Sequence, residues 1–153
     1  MNRVETRVRA VAITDDVKLV VLRRERAGCP TYRVFPGGGM QPTDRDEVSA
    51  LVRELVEELS AVVTVGQPVL SIENASDSNV LTREIFFVCR LHAYSLSGGR
   101  GPEWKNKLPN NQYFVEAIEM NEVSLRAANL LPVELVELII AAADPWELPS
   151  IDI

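Results

Sequence analysis

The chain reads as an α/β (α+β) domain, a mixed β-sheet flanked by helices in the manner of an α/β/α sandwich. Three observations predict this. The elements run strands, helix, strands, helix. Runs rich in Val, Thr, Ile and Phe fall in two separate blocks bounded by turn residues. One segment, Asp44 to Ser60, repeats its apolar residues at helical spacing. With 153 residues, 46% hydrophobic and 25% charged, the chain suits one domain with one core. That domain is assigned to residues 1–143, with 144–153 as a C-terminal tail.

The elements follow in order. Thr6 to Thr14 is rich in Val and Thr and partly alternating, which predicts a strand. Asp15-Asp16 is a turn signal, so Val17 to Arg24 returns as a hairpin partner. Glu25 to Thr31 holds Gly28 and Pro30 and reads as a loop. Tyr32 to Phe35 is a short strand, stopped by Pro36 and a glycine turn at Gly37, Gly38 and Gly39. In the helix Asp44–Ser60, Val48, Leu51, Val52, Leu55, Val56 and Leu59 form one apolar stripe at about 100° per residue. Glu47, Glu54 and Glu58 lie along one edge of that stripe and Glu57 further round, so a core face adjoins an acidic face. Val62 to Glu73 and Val80 to Tyr94 predict two more strands. Ser95 to Asn111, with five Gly and Pro residues, is a long loop of the kind that tends to carry function. Gln112 to Ile118 is a strand, Glu119 to Leu130 a short helix plus a turn, and Pro132 to Ala143 an amphipathic helix with proline near its start. In the tail, Trp146, Leu148, Ile151 and Ile153 dock either onto the domain or onto a second subunit.

Composition narrows the function. A net charge of −6 and a pI of about 4.9 argue against non-specific binding to nucleic acid or an anionic membrane. They leave room for an anionic ligand, because bound divalent ions invert the local field. Cys29 and Cys89 form no CxxC pair and suggest neither a disulfide framework nor a zinc site; reduced thiols and a cytoplasmic location are expected. His92, the one histidine, sits in an apolar strand-like run and reads as a strand residue rather than a triad member. The N-terminus has no apolar h-region, and no run approaches the length of a membrane span.

The acidic helix face carries the chemistry. Glu54 and Glu57 are three apart and Glu54 and Glu58 four apart, spacings that bring side chains together on a helix. Close like charges repel, so such a face is either solvated or built to hold a cation. Oxygen ligands of this kind suit Mg²⁺ or Mn²⁺. The glycines let backbone approach a metal or a phosphate closely, and Arg53 can orient a neighbouring carboxylate.

Pro36-Gly37-Gly38-Gly39 followed by Arg53-Glu54-Leu55-Val56-Glu57-Glu58 resembles the Nudix box, GX5EX7REUXEEXGU, with U a bulky apolar residue. The resemblance extends over roughly residues 4–142 and implies the Nudix-like sandwich. There are departures. Counted back from Arg53 the first box glutamate falls on Arg45, and counted forward from Gly38 on Asp44, which keeps an acid there at the expense of one inserted residue. Gln41 stands where many members carry a further acid, and Ser60 where the family has the glycine that closes the helix.

The resemblance implies hydrolysis of a nucleoside diphosphate derivative, a nucleotide, nucleotide sugar or ADP-ribose type, at its pyrophosphate, with Mg²⁺ or Mn²⁺ as cofactor. It implies Glu54, Glu57 and Glu58 as metal ligands, with the Gly38 carbonyl as a further one, and Arg53 orienting Glu54 or Glu57. The base is a helix glutamate or an acid from a later loop, for which Glu103 is the candidate. Gly37, Gly38, Gly39 and Arg24 are expected to contact substrate. Arg7, Arg9, Arg23 and Arg33 could join Arg24 on phosphate or ribose, and Tyr32, Phe35 and Trp104 could stack on a base. A homodimer is compatible with the family. The alternative is a module that keeps the fold and senses a nucleotide without cleaving it.

Overall fold

A computed structural model describes residues 3–75, 79–97 and 111–153. Strand β1 (Arg3–Thr14) and β2 (Lys18–Arg26) form the expected antiparallel hairpin, with Ala12 opposite Val20. Strand β3 (Tyr32–Val34) pairs with β2. The glycine triplet is a strand, β4 (Gly37–Gly39), rather than the turn expected, and runs antiparallel to β1 with Val8 opposite Gly38. Glycines have no side chains to reveal a strand's alternation, so only the pairing with β1 identifies it. Helix α1 (Glu47–Leu59) follows, then the long strands β5 (Val62–Ala75) and β6 (Val80–Ala93). Next come β7 (Asn111–Glu119), α2 (Glu122–Ala127), β8 (Leu130–Leu131) and α3 (Val133–Ala141), with a 3₁₀ turn at Pro145–Glu147. The expected helix over Glu119–Leu130 is thus shorter, and its end is a two-residue strand paired with β3.

The sheet runs β5-β6-β1-β2-β3-β8, with β4 also on β1 and β7 also on β2. Strands β1 and β6 are parallel along their length, while β5–β6 and β2–β7 are antiparallel, so the sheet is mixed. One face packs Val8, Ala10, Leu22, Ile85 and Phe87 against Leu51, Leu55 and Leu59 of α1. The other packs Val11, Ile13, Val21 and Phe86 against Leu125 of α2 and Leu135 and Ile139 of α3. This is the sandwich, with the sheet between α1 and the closing helices. Leu148 is buried in the second core and the Ile151 N–H donates to the Pro68 carbonyl at 2.9 Å, so the chain's last residues dock on their own domain. Among the described residues no helix is long and apolar enough to cross a membrane.

Helix α1 corrects the expected stripe. It starts at Glu47, where Asp46 caps it by accepting from the Ser49 N–H at 2.7 Å. Its buried residues are Ala50, Leu51, Leu55, Glu58 and Leu59, whereas Val48, Val52 and Val56 are exposed. The helix is rotated so that one acidic edge of the stripe, not its valine edge, meets the sheet.

Candidate functional site

Strand β4 and helix α1 build the site together. Antiparallel ladders alternate between pairs that exchange hydrogen bonds and pairs that do not. Ala10 N–H to Pro36 O and Met40 N–H to Thr6 O set the phase, so Val8 and Gly38 are a bonding pair. The peptide groups of Gly37 and Gly39 then turn away from β1, toward α1. There the Gly37 N–H donates to Glu58 Oε1 at 2.7 Å, and Arg53 Nη2 donates to the Gly39 carbonyl at 3.1 Å. This explains how Glu58 is buried, with 4% of its surface exposed, since a buried carboxylate needs a donor. The Gly38 carbonyl faces Val8 across the ladder, so only its second lone pair is open to a ligand. Gly38 matters sterically: a Cβ there would lie 2.6 Å from the Glu54 carboxyl. At Gly37, with φ +146°, a Cβ would lie 2.0 Å from the Val8 carbonyl oxygen.

Arg53 holds the acidic cluster. Its Nε and Nη2 donate to the two oxygens of Asp44 at 2.9 and 2.8 Å. Its Nη1 reaches Glu54 at 3.1 Å and Glu57 at 3.3 Å. One guanidinium therefore offsets the repulsion among three carboxylates. The Arg53 hydrogen bond, seconded by the Gln41 N–H at 2.7 Å, holds the Asp44 carboxyl down at about 2, against an ordinary 3.8. The same bond raises the already high pKa of Arg53. Arg45, by contrast, is exposed and lies 4.0 Å from Asp46.

The glutamates that Arg53 holds border a cavity of about 330 Å³. Glu54, Glu57, Glu58 and Gly37–Gly39 line it together with Arg7, Arg9, Arg24 and Tyr113, and Arg7 and Arg9 stand in register with Gly39 and Gly37. The cavity thus carries both carboxylates and guanidiniums in its lining. The Arg24 guanidinium lies 4.6 Å from the centre of the Tyr113 ring, a cation–π contact. Burial raises the Tyr113 phenol above its ordinary value.

The structure thus gathers Arg53, Glu54, Glu57, Glu58, the three glycines, Arg24, Arg7 and Arg9. It does not bring Arg23 and Arg33 there: both donate to Glu116, at 2.6 and 2.5 Å. Phe35 is fully buried in the second core, in edge-to-face contact with Phe86, and is not a stacking platform. Tyr32 is half-buried on β3 and does not line the cavity. Glu103 and Trp104 lie outside the described residues. His92 is an exposed strand residue whose Nε2 is 2.7 Å from Thr64 Oγ1. Cys29 and Cys89 are free thiols, and burial pushes Cys89 up to about 12. Sequence reasoning missed Tyr113 and Glu84, which reach the site's surroundings from strands far along the chain and carry no local signal.

Among the described residues, no group of three or more His, Cys, Asp or Glu side chains is already converged on a metal position. The donor set is nonetheless one of hard oxygens. Mg²⁺ commonly takes one or two carboxylates and completes its shell with water and substrate phosphate. Glu54, Glu57 and Glu58, bordering one cavity with main-chain oxygens nearby, fit that requirement.

Comparison with known proteins agrees with this fold. The NUDIX domain family model matches residues 4–138. Among solved structures, the ORF135 protein of E. coli is 24% identical, with 94% of this chain and 95% of that one covered and a TM-score of 0.64. MutT, a Nudix hydrolase from methicillin-resistant Staphylococcus aureus 252, is 23% identical, with 92% and 98% covered and a TM-score of 0.58. A NUDIX hydrolase from Nitrosomonas europaea is 15% identical, with 92% and 82% covered and a TM-score of 0.53. These likenesses show a shared fold. No curated protein sequence matches. The chain belongs to the Nudix family, hydrolases that act on pyrophosphate bonds.

Proposed function

We propose that this Nudix-family chain hydrolyses a nucleoside diphosphate derivative at its pyrophosphate, with Mg²⁺ or Mn²⁺ as cofactor. The observation that carries the proposal is the mixed charge of one cavity's lining: Glu54, Glu57 and Glu58 together with Arg7, Arg9 and Arg24. Glu54, Glu57 and Glu58 would hold the cation, with the Gly38 carbonyl as a further oxygen. The cation supplies charge neutralisation at the phosphates and lowers the pKa of water.

The chain's own residues do the rest. Arg53 keeps Glu54 and Glu57 side by side despite their charge and fixes them against the glycine strand. The glycines leave the wall bare, so substrate can approach the main chain. Arg24, stacked on Tyr113, presents a fixed cation to phosphate oxygens. The proton lost by the attacking water goes to a carboxylate. Glu57 is the most exposed of the three, with 35% of its side chain accessible, and Glu103 is the alternative base.

The departures from the box motivate the sensing alternative, yet they leave the contacts of the cluster in place. Asp44 meets Arg53 in place of the usual glutamate, and Ser60 closes α1 in the left-handed conformation glycine would adopt. The test is a screen of nucleoside triphosphates, ADP-ribose, dinucleotide polyphosphates and nucleotide sugars with Mg²⁺ or Mn²⁺. Turnover lost in Glu57→Gln upholds the proposal. Absence of turnover with either metal, alongside thermal stabilisation by a nucleotide, favours the sensor instead.

A further inference from the structure

We infer that Glu84, on β6 and outside the cavity, is a positioning residue that holds Arg9 and Arg7 as a paired cationic wall for the phosphate end of the substrate. The inference rests on the proposed reading of the cavity and deepens it. Strand β6 runs parallel to β1 with Glu84 in register with Arg7. Its Oε2 accepts from Arg9 Nε at 2.7 Å and lies 3.9 Å from Arg7 Nε. One carboxylate oxygen thus stands between two guanidiniums from alternate residues of one strand. Arg9 has a second tether, Nη1 donating to the Phe35 carbonyl at 2.9 Å, just before the glycine strand begins.

Charge and entropy both require such a group. Two guanidiniums this close repel, and each carries a long side chain with many rotamers. Glu84 offsets one of two positive charges, so the pair remains net cationic toward an anion. It also fixes Arg9, whose side chain is 18% exposed, before any ligand arrives. An arginine already held loses less freedom on binding phosphate. Glu116 does the same for Arg23 and Arg33, but that pair does not line the cavity.

The experiment is calorimetric titration of the full chain with inorganic pyrophosphate in the presence of Mg²⁺. Glu84→Ala should weaken binding about tenfold, because the released arginine must then be ordered on binding. Glu84→Gln, which keeps an acceptor for Arg9 Nε, should recover most of it. In an Arg7→Ala/Arg9→Ala background, Glu84→Ala should change Kd less than about twofold, because its action runs through the arginines. Equal losses in both backgrounds, no loss, or tighter binding on removing Glu84 overturns the inference. Wild-type protein that does not bind pyrophosphate overturns the reading of the cavity as well, whereas wild-type binding with an indifferent Glu84→Ala overturns this inference alone.

Discussion

Arg53 and Asp44 are joined by two parallel hydrogen bonds, Nε to Oδ1 at 2.9 Å and Nη2 to Oδ2 at 2.8 Å. This fork fixes the plane of the guanidinium, leaving Nη1 to serve Glu54 and Glu57. Asp44 is therefore the anchor from which the carboxylate cluster is positioned. Its pKa is depressed from 3.8 to about 2 in the folded chain. The stability this confers is present above the unfolded value and is lost as pH falls through the folded one. The difference in unfolding free energy between wild type and Asp44→Asn should be constant from pH 5 to 7 and shrink between about pH 4 and 2. Denaturant titrations across that range check this, and a difference independent of pH would contradict it.

Gly37→Ala and Gly38→Ala should separate fold from chemistry. At Gly37 the added carbon meets main chain, so stability should fall by roughly 1–3 kcal/mol or more. At Gly38 it meets the end of the flexible Glu54 side chain, so the fold should persist while turnover drops by about 10²-fold, as displacing a proposed metal ligand implies. Chemical denaturation and steady-state kinetics on both variants read this out. Equal stability losses would remove the distinction.

Glu57→Gln should lower kcat by about 10²–10⁴-fold, the range for loss of a proton acceptor or metal-bound charge, with little change in thermal midpoint. The side chain is 35% exposed and the Gln amide keeps an acceptor for Arg53, so a large drop in midpoint would assign it to the fold. Glu103→Gln in parallel tells the two candidate bases apart: the one that acts as base also removes the acidic limb of the pH–rate profile.

Ser60→Gly should stabilise the chain by about 1 kcal/mol, because Ser60 sits at φ 50°, ψ 41°, where a side chain is disfavoured. Its N–H already closes the helix onto Leu55 and Val56, and glycine keeps that bond. A thermal melt in which Ser60→Gly is neutral or lower would show that the serine side chain compensates.

The sequence by itself determined the helix, the strands around it and the chemical kind of the site. Periodicity is local, and so are the spacings of Glu54, Glu57 and Glu58 from Arg53 and the bareness of the glycine run. What only the tertiary structure decided is which edge of α1 turns inward. Val48, Val52 and Val56 are as apolar as Leu51, Leu55 and Leu59, and the wheel places both sets beside one another. The inward edge is the one whose carboxylate, Glu58, finds the Gly37 N–H, since a buried charge is tolerated only where a donor waits. The cavity's arginines are decided the same way. Five arginines on three strands look alike in sequence, but Glu116 claims Arg23 and Arg33, while the pairing of β1 with β4 and β6 sets Arg7 and Arg9 beside the glycines and Glu84. Those pairings join residues tens of positions apart, and no local pattern encodes them.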